Sequence, residues 1–247
     1  MGDIMYRVLA QMKGKDRGTV EDKGRKFYFK RNDADVEILM EKIADFFQLN
    51  HAHYYPTTVH GLQYYISEDL NAKGNFVTAE DAGIDFHSTS EIRDAILLKY
   101  PNDFEKIMKD FMKMYFMDLL TLNIDRNNGT WGFLQKDGHT ELCVLDNDLA
   151  FIYENSLMTS CENPNRSTMT EIENVLDTFP PEYIVLFLEM YQNLNTETLE
   201  KIMRDCEDEM EDTLPHKHHY IERFEILREK IENYLKEKHK EYIKTEA

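Results

Sequence analysis

Asp118-Leu-Leu-Thr-Leu-Asn-Ile-Asp125-Arg126-Asn-Asn-Gly-Thr130-Trp-Gly-Phe-Leu134, followed after a turn by Val144-Leu-Asp146-Asn-Asp148, is the stretch from which the rest of the chain can be read. Upstream of it, Phe104, Ile107, Met108, Phe111, Met112, Tyr115, Phe116, Leu119 and Leu120 recur at helical spacing, introduced by Pro101 and Asp103. A helix apolar over so wide a face belongs in a core. Downstream, Trp131 to Leu134, a Lys136-Asp-Gly138 turn and Leu142 to Leu145 read as a β-hairpin. Asp125 thus closes a buried helix, and Asp146 leaves a hairpin 21 positions later. A tight hairpin can bring both carboxylates to one cleft. There one would accept the proton of an attacking hydroxyl and the other would hold magnesium, as phosphoryl transfer requires.

Toward the N-terminus, Met5 to Met12 is apolar, Gly14 to Gly24 is charged and glycine-punctuated, and Arg25 to Lys30 alternates with period two. This predicts a strand, a loop and a second strand. From Asp33 the period changes: Val36, Leu39, Met40, Ile43, Ala44, Phe46 and Phe47 predict a helix with Asn32 or Asp33 as N-cap. His60 to Ile66 is a tyrosine-rich strand candidate, and the polar stretch Asn71 to Thr89 reads as a connection between lobes. After Pro180-Pro181 the pattern is helical to Tyr242, and the acidic run Glu197 to Asp212 reads as a solvated helix face. The expected architecture is α+β and bilobal: a small β-containing N-terminal lobe over residues 1–70 and a larger, mainly helical lobe over 71–247.

The bulk properties restrict the function classes. A chain of 247 residues can bury a sizeable core, either as one large domain or as two small lobes sharing a cleft. With 29 Lys and Arg against 47 Asp and Glu, its net charge of −18 would repel bare nucleic acid and anionic membrane surfaces. Cys143, Cys161 and Cys206 form no C-x-x-C pair, which suits a reducing compartment. No apolar h-region follows Met1, and no stretch approaches the roughly 18 apolar residues of a membrane span. The expectation is a soluble, cytoplasmic protein without direct nucleic-acid or membrane contact.

Asn123-Ile-Asp-Arg-Asn-Asn-Gly-Thr-Trp-Gly-Phe-Leu134 resembles the catalytic loop of HipA-like kinases, approximately N-x-D-R-H-x-x-N-[WF]-G-[FI]-[LI], which phosphoinositide kinases share in a looser form. The resemblance implies a kinase-like bilobal fold, ATP and Mg2+ as cofactors, and a serine or threonine hydroxyl on a protein substrate as acceptor. It implies that Asp125 is the base and Asp146 the metal-binding aspartate. Lys30, in Phe27-Tyr-Phe-Lys30, is placed like the strand lysine that meets the ATP phosphates, and Glu37 like its helical partner; Lys26 with Glu41 is the competing register. Ser67-Glu68-Asp69 lies where a hinge against the nucleotide would run. The resemblance also implies an antitoxin-type protein partner, through which any DNA contact would pass. It covers about residues 25–150.

Two positions depart from that pattern. Thr130 stands where the family has a magnesium-binding asparagine, and a hydroxyl is a poorer ligand than an amide carbonyl, so the metal set is read as Asp146 with Thr130 or Asn128; Asn127 and Asp148 are alternatives. The expected phosphate loop, with Gly14, Gly18 and Gly24, matches neither G-x-x-x-x-G-K-[ST] nor G-x-G-x-x-G, and an ordinary hairpin tip is the simpler reading. His51, His53 and His216 to His219 lack a metal-ligand spacing and read as surface histidines. Tyr54, Tyr55, Tyr64 and Tyr65 either line an adenine pocket or pack in strands, and Trp131 packs against the catalytic loop.

Overall fold

The structure, a computed structural model of the chain, describes residues 17–22, 24–31, 34–59, 62–70, 74–84, 88–123, 126–147, 149–151, 168–210 and 213–242. In chain order these form β1 (Arg17–Asp22), β2 (Arg25–Arg31), α1 (Ala34–Phe46), β3 (Asn50–His51), β4 (Tyr54–Val59), β5 (Leu62–Glu68) and β6 (Phe76–Thr78). Then follow α2 (Thr89–Lys99), α3 (Phe104–Leu120), β7 (Trp131–Lys136) and β8 (His139–Val144). Four helices close the chain, α4 (Thr168–Thr178), α5 (Pro181–Asn193), α6 (Thr196–Met210) and α7 (Lys217–Lys238), before a single 3-10 turn at Lys240–Tyr242. A small strand-rich N-terminal part is thus followed by a larger helical part, the α+β division expected from the sequence.

Two four-stranded sheets carry the site. The first runs β1-β2-β5-β4, antiparallel throughout. The second runs β3-β8-β7-β6, with β3 parallel to β8. Because Asn50 pairs with Cys143 and His51 with Val144, the second sheet is stitched together from both halves of the chain. Two expectations change here. The charged segment read as a glycine loop is largely strand β1: Val20 is its inward-facing residue, and the charged neighbours suit an exposed edge. The Asn71 to Thr89 connection contains β6, which closes the second sheet against β7.

Helix α1 forms where the periodicity requires it, burying Val36, Leu39, Met40, Ile43 and Ala44. It ends with Gln48 in the left-handed region (φ 58°), while the Leu49 N–H reaches back 2.9 Å to the Ala44 carbonyl. Its surroundings come from distant sequence. Lys42 pairs with Glu209 of α6, and Lys113 Nζ of α3 donates to the Phe47 carbonyl at 3.0 Å. The Tyr220 hydroxyl of α7 donates to Asp35 Oδ2 at 3.0 Å, and its ring lies 5.5 Å from that of Phe151. Glu37, one turn into α1, is therefore carried on a helix gripped from three sides.

Helix α3 is buried over most of its length, and the chain turns away just past it at Leu122 (φ 55°), with the Asn123 N–H bonded to the Asp118 carbonyl at 2.9 Å. Trp131 is fully buried between Phe111 and Phe133, with ring centroids 5.4 Å away on each side. Beside it, Gly132 permits the close approach of β6: a Cβ there would lie 2.3 Å from the Val77 carbonyl oxygen and 2.6 Å from the Phe76 ring. Gly132→Ala is expected to push β6 off β7 and to cost at least about 1–3 kcal/mol, as overpacking does. A urea-unfolding midpoint equal to that of the wild type would refute this. Among the described residues, no helix is long and apolar enough to cross a membrane.

Candidate active site

A cavity of ≈ 450 Å³ opens between the two sheets. Cross-strand register lays out its upper wall: Lys30 stands opposite Tyr65, and Tyr28 opposite Ser67, so these side chains share one face of the first sheet. Tyr54 pairs with Ser67 from the other side and joins that face. Phe76, Val77 and Leu145 come from the second sheet and its exit, and Asp146 closes one end beside Lys30. The wall thus combines apolar and aromatic side chains with Lys30 and Asp146, and Asp69 and Asp81 add two more carboxylates to it; its volume is in the range typical of small-molecule sites.

On this wall, Lys30 Nζ lies 2.9 Å from Glu37 Oε1 and 2.5 Å from Asp146 Oδ1. Burial by itself would lower the Lys30 ammonium, but the two carboxylates outweigh it and hold it well above the ordinary lysine value. For Asp146, burial pushes upward, and the opposing pull of Lys30 leaves it below the usual carboxylate range. Glu37 is 1% exposed, and burial raises it to about 8 against the pull of Lys30. The competing register is not formed: Lys26 sits exposed over the Tyr28 ring, 3.7 Å from Asp69, while Glu41 serves His53 and the Tyr54 N–H.

The backbone carrying Asp146 is held at every point. Asp146 has φ 31°, in the left-handed region that non-glycine residues enter only at a cost. Its N–H donates to the Tyr54 hydroxyl at 3.2 Å, and the next N–H, of Asn147, donates to Glu37 Oε2 at 2.9 Å. The Leu145 N–H donates to the Thr130 carbonyl at 2.9 Å. Arg126 Nη1 reaches the carbonyls of Thr130 and Leu145, both at 2.8 Å, and that of Asp146 at 3.4 Å.

Arg126 is only 6% exposed, and it is neutralised by a two-point contact with Asp118, which is 1% exposed. Nε lies 2.8 Å from Asp118 Oδ2 and Nη2 lies 2.9 Å from Oδ1. Asn123 adds a bond to Asp118 Oδ1 at 2.9 Å, and Nη2 also reaches Asn147 Oδ1. One guanidinium thus fastens the end of α3, the loop before β7 and the strand exit at Asp146. The sequence reading assigned Arg126 no such task. The signal was present: a lone aspartate on the apolar face of a core helix requires a partner.

The other expected site residues are distributed unevenly. Asp125, Gly14 and Asp148 lie outside the described residues. Gly18 is in β1 opposite Phe29, where a Cβ would meet the Phe29 ring at 3.1 Å, so it is a packed strand residue and not a loop tip. Glu68 ends β5, its backbone paired with Phe27, and its neighbours Ser67, Asp69 and Leu70 line the cavity. The Thr130 hydroxyl is engaged within its own turn, donating to the Asn127 carbonyl at 2.9 Å and accepting the Asn127 N–H at 3.0 Å. The Asn128 carbonyl accepts the Glu80 N–H at 3.0 Å. Of Asp146, Asn128 and Thr130, Asp146 alone lines the cavity, and the Thr130 hydroxyl is taken up inside its own turn. Among the described residues, no three His, Cys, Asp or Glu side chains gather into a metal cluster. Of Tyr54, Tyr55, Tyr64 and Tyr65, the first and last are on the wall, as is Tyr28; the Tyr65 hydroxyl lies 3.5 Å from Met210 Sδ of α6.

No protein-family model matches this sequence, and no curated protein does. Its fold, however, is shared with solved structures of a kinase, CtkA, and of HipA. The crystal structure of a Helicobacter pylori proinflammatory kinase, CtkA, superposes with a TM-score of 0.63 at 14% identity, covering 94% of this chain and 92% of that one. HipA of Shewanella oneidensis MR-1, solved with HipB and operator DNA, gives 0.59 at 12% identity, covering 86% of this chain and 59% of HipA.

Proposed function

We propose that this chain is an ATP-dependent phosphotransferase of the HipA-like kind, acting on a serine or threonine hydroxyl of a protein. The observation that carries the proposal is Lys30 held between Glu37 and Asp146 on the wall of a cavity that also presents Tyr65, Phe76 and Val77. That pairing matches a nucleotide: a base against Tyr65, Phe76 and Val77, and a polyphosphate reaching Lys30. A hard divalent cation needs one or two carboxylates beside phosphate oxygens, and Asp146 supplies one on the cavity wall. Bound magnesium would neutralise charge developing on the transferred group.

In this mechanism Lys30 orients the phosphates, and Glu37 keeps the ammonium in place while its second oxygen pins the Asn147 N–H. Arg126 contributes by fixing geometry, since its donors are directed to Asp118 and backbone carbonyls. Asp125, adjacent to Arg126 in the chain, is proposed as the base that takes the hydroxyl proton. Residues 1–70 and 71–247 are the proposed lobes, and both contribute to the wall. An antitoxin-type protein partner is proposed by analogy with HipA, which was solved with HipB and DNA.

The test is to incubate wild type and Asp125→Ala with labelled ATP, magnesium and a cell extract. Incorporation should fall by at least about 10²-fold in the variant; equal labelling by both would refute the base. A second reading, a nucleotide-binding protein with little transfer, is favoured by the inward-bonded Thr130 hydroxyl. It predicts a nucleotide-dependent rise in melting temperature without labelling. Gain of labelling in Thr130→Asn would then locate the defect at the metal site.

A further inference from the structure

Tyr54 was read from the sequence as an adenine-wall or strand-packing tyrosine, yet its hydroxyl addresses a different part of the site. The side chain is 9% exposed at the start of β4, and its oxygen accepts the Asp146 N–H at 3.2 Å. The backbone that carries this ring is anchored from behind. The Tyr54 N–H donates to Glu41 Oε2 at 2.8 Å, and Glu41 is itself 4% exposed, one helical turn beyond Glu37 on α1. Helix α1 therefore acts on the Asp146 segment twice: directly, through Glu37 and the Asn147 N–H, and indirectly, through Glu41 and Tyr54.

We propose that Tyr54 is a positioning residue that tunes divalent-cation affinity, its hydroxyl holding Asp146 in the left-handed conformation that turns the carboxylate toward Lys30 and the cavity. This rests on the nucleotide-site reading above. The motive is the backbone: φ 31° at a non-glycine residue persists only where neighbours over-determine it, and the Tyr54 hydroxyl is the acceptor of that residue's own N–H.

The experiment uses full-length Tyr54→Phe, which keeps the ring on the wall and deletes one oxygen. Melting temperature is followed with ADP in EDTA and with ADP over a MgCl2 titration. The expected result is an ADP response in EDTA like that of the wild type, with the magnesium concentration for half-maximal added stabilisation raised by about 2- to 10-fold, the worth of one hydrogen bond. An unchanged magnesium midpoint overturns the proposal and leaves the nucleotide site standing. An equal loss of ADP response with and without magnesium also overturns it, assigning Tyr54 to the base wall. A wild type without any ADP response overturns both readings. A reading independent of the variant comes from amide exchange in the wild type: the Asp146 N–H should be protected, and exchange as fast as in an exposed loop would sink the idea.

Discussion

Asp146→Asn is expected to lower phosphoryl transfer by at least about 10²- to 10³-fold, the loss typical of removing one aligned electrostatic element from an active site. The fold should barely respond. Asparagine tolerates the left-handed backbone that Asp146 adopts nearly as well as aspartate does, so the substitution adds no strain at φ 31°. Lys30 keeps Glu37 as a partner at 2.9 Å, so no ammonium is stranded. What disappears is the cavity-wall carboxylate beside Lys30, and with it the proposed site for a hard cation. In melting experiments, stabilisation by ADP in EDTA should persist and the increment from magnesium should vanish. Retention of a wild-type magnesium response would remove Asp146 from the metal site.

The second large effect is on stability. Arg126→Met should destabilise the protein by about 3–5 kcal/mol, because it leaves the Asp118 carboxylate buried without its guanidinium. Three backbone carbonyls and Asn147 lose a donor at the same time. For a chain of this length the melting temperature should fall by roughly 6–20 °C. Calorimetry on the double variant Arg126→Met/Asp118→Leu separates stability from function. Replacing the whole buried pair should recover most of the lost stability, but the loop and the Asp146 exit would still lack their common anchor, so transfer should remain impaired. A double variant no more stable than the single one would show that the carbonyl contacts, and not the ion pair, dominate.

Periodicity made the framework legible. The apolar repeat from Val36 to Phe47 and that from Phe104 to Leu120 became α1 and α3, and the Asp-Gly signal became a hairpin turn with Asp137 at φ 52° and Gly138 at φ 83°. Strand β1 was missed because a charged edge strand inherits its conformation from β2 and carries little alternation of its own. Strand β6 lies inside what reads as a connection, because it is three residues long and is held by pairing with β7. The contact of Tyr54 with Asp146 spans 92 positions and depends on how β4 docks, which no local pattern encodes. The Thr130 substitution was visible, but its consequence was not. Only the geometry of the Asn127 to Thr130 turn shows the hydroxyl bonded inward.

The tether from α7 to α1 has a consequence for the order in which the molecule is made. The ribosome delivers Lys30, Glu37 and Asp146 in that sequence, long before Tyr220 emerges to bond Asp35 and cover Phe151. Until that last helix docks, the nascent chain holds every wall residue of the cleft while its glutamate-bearing helix still lacks its final brace.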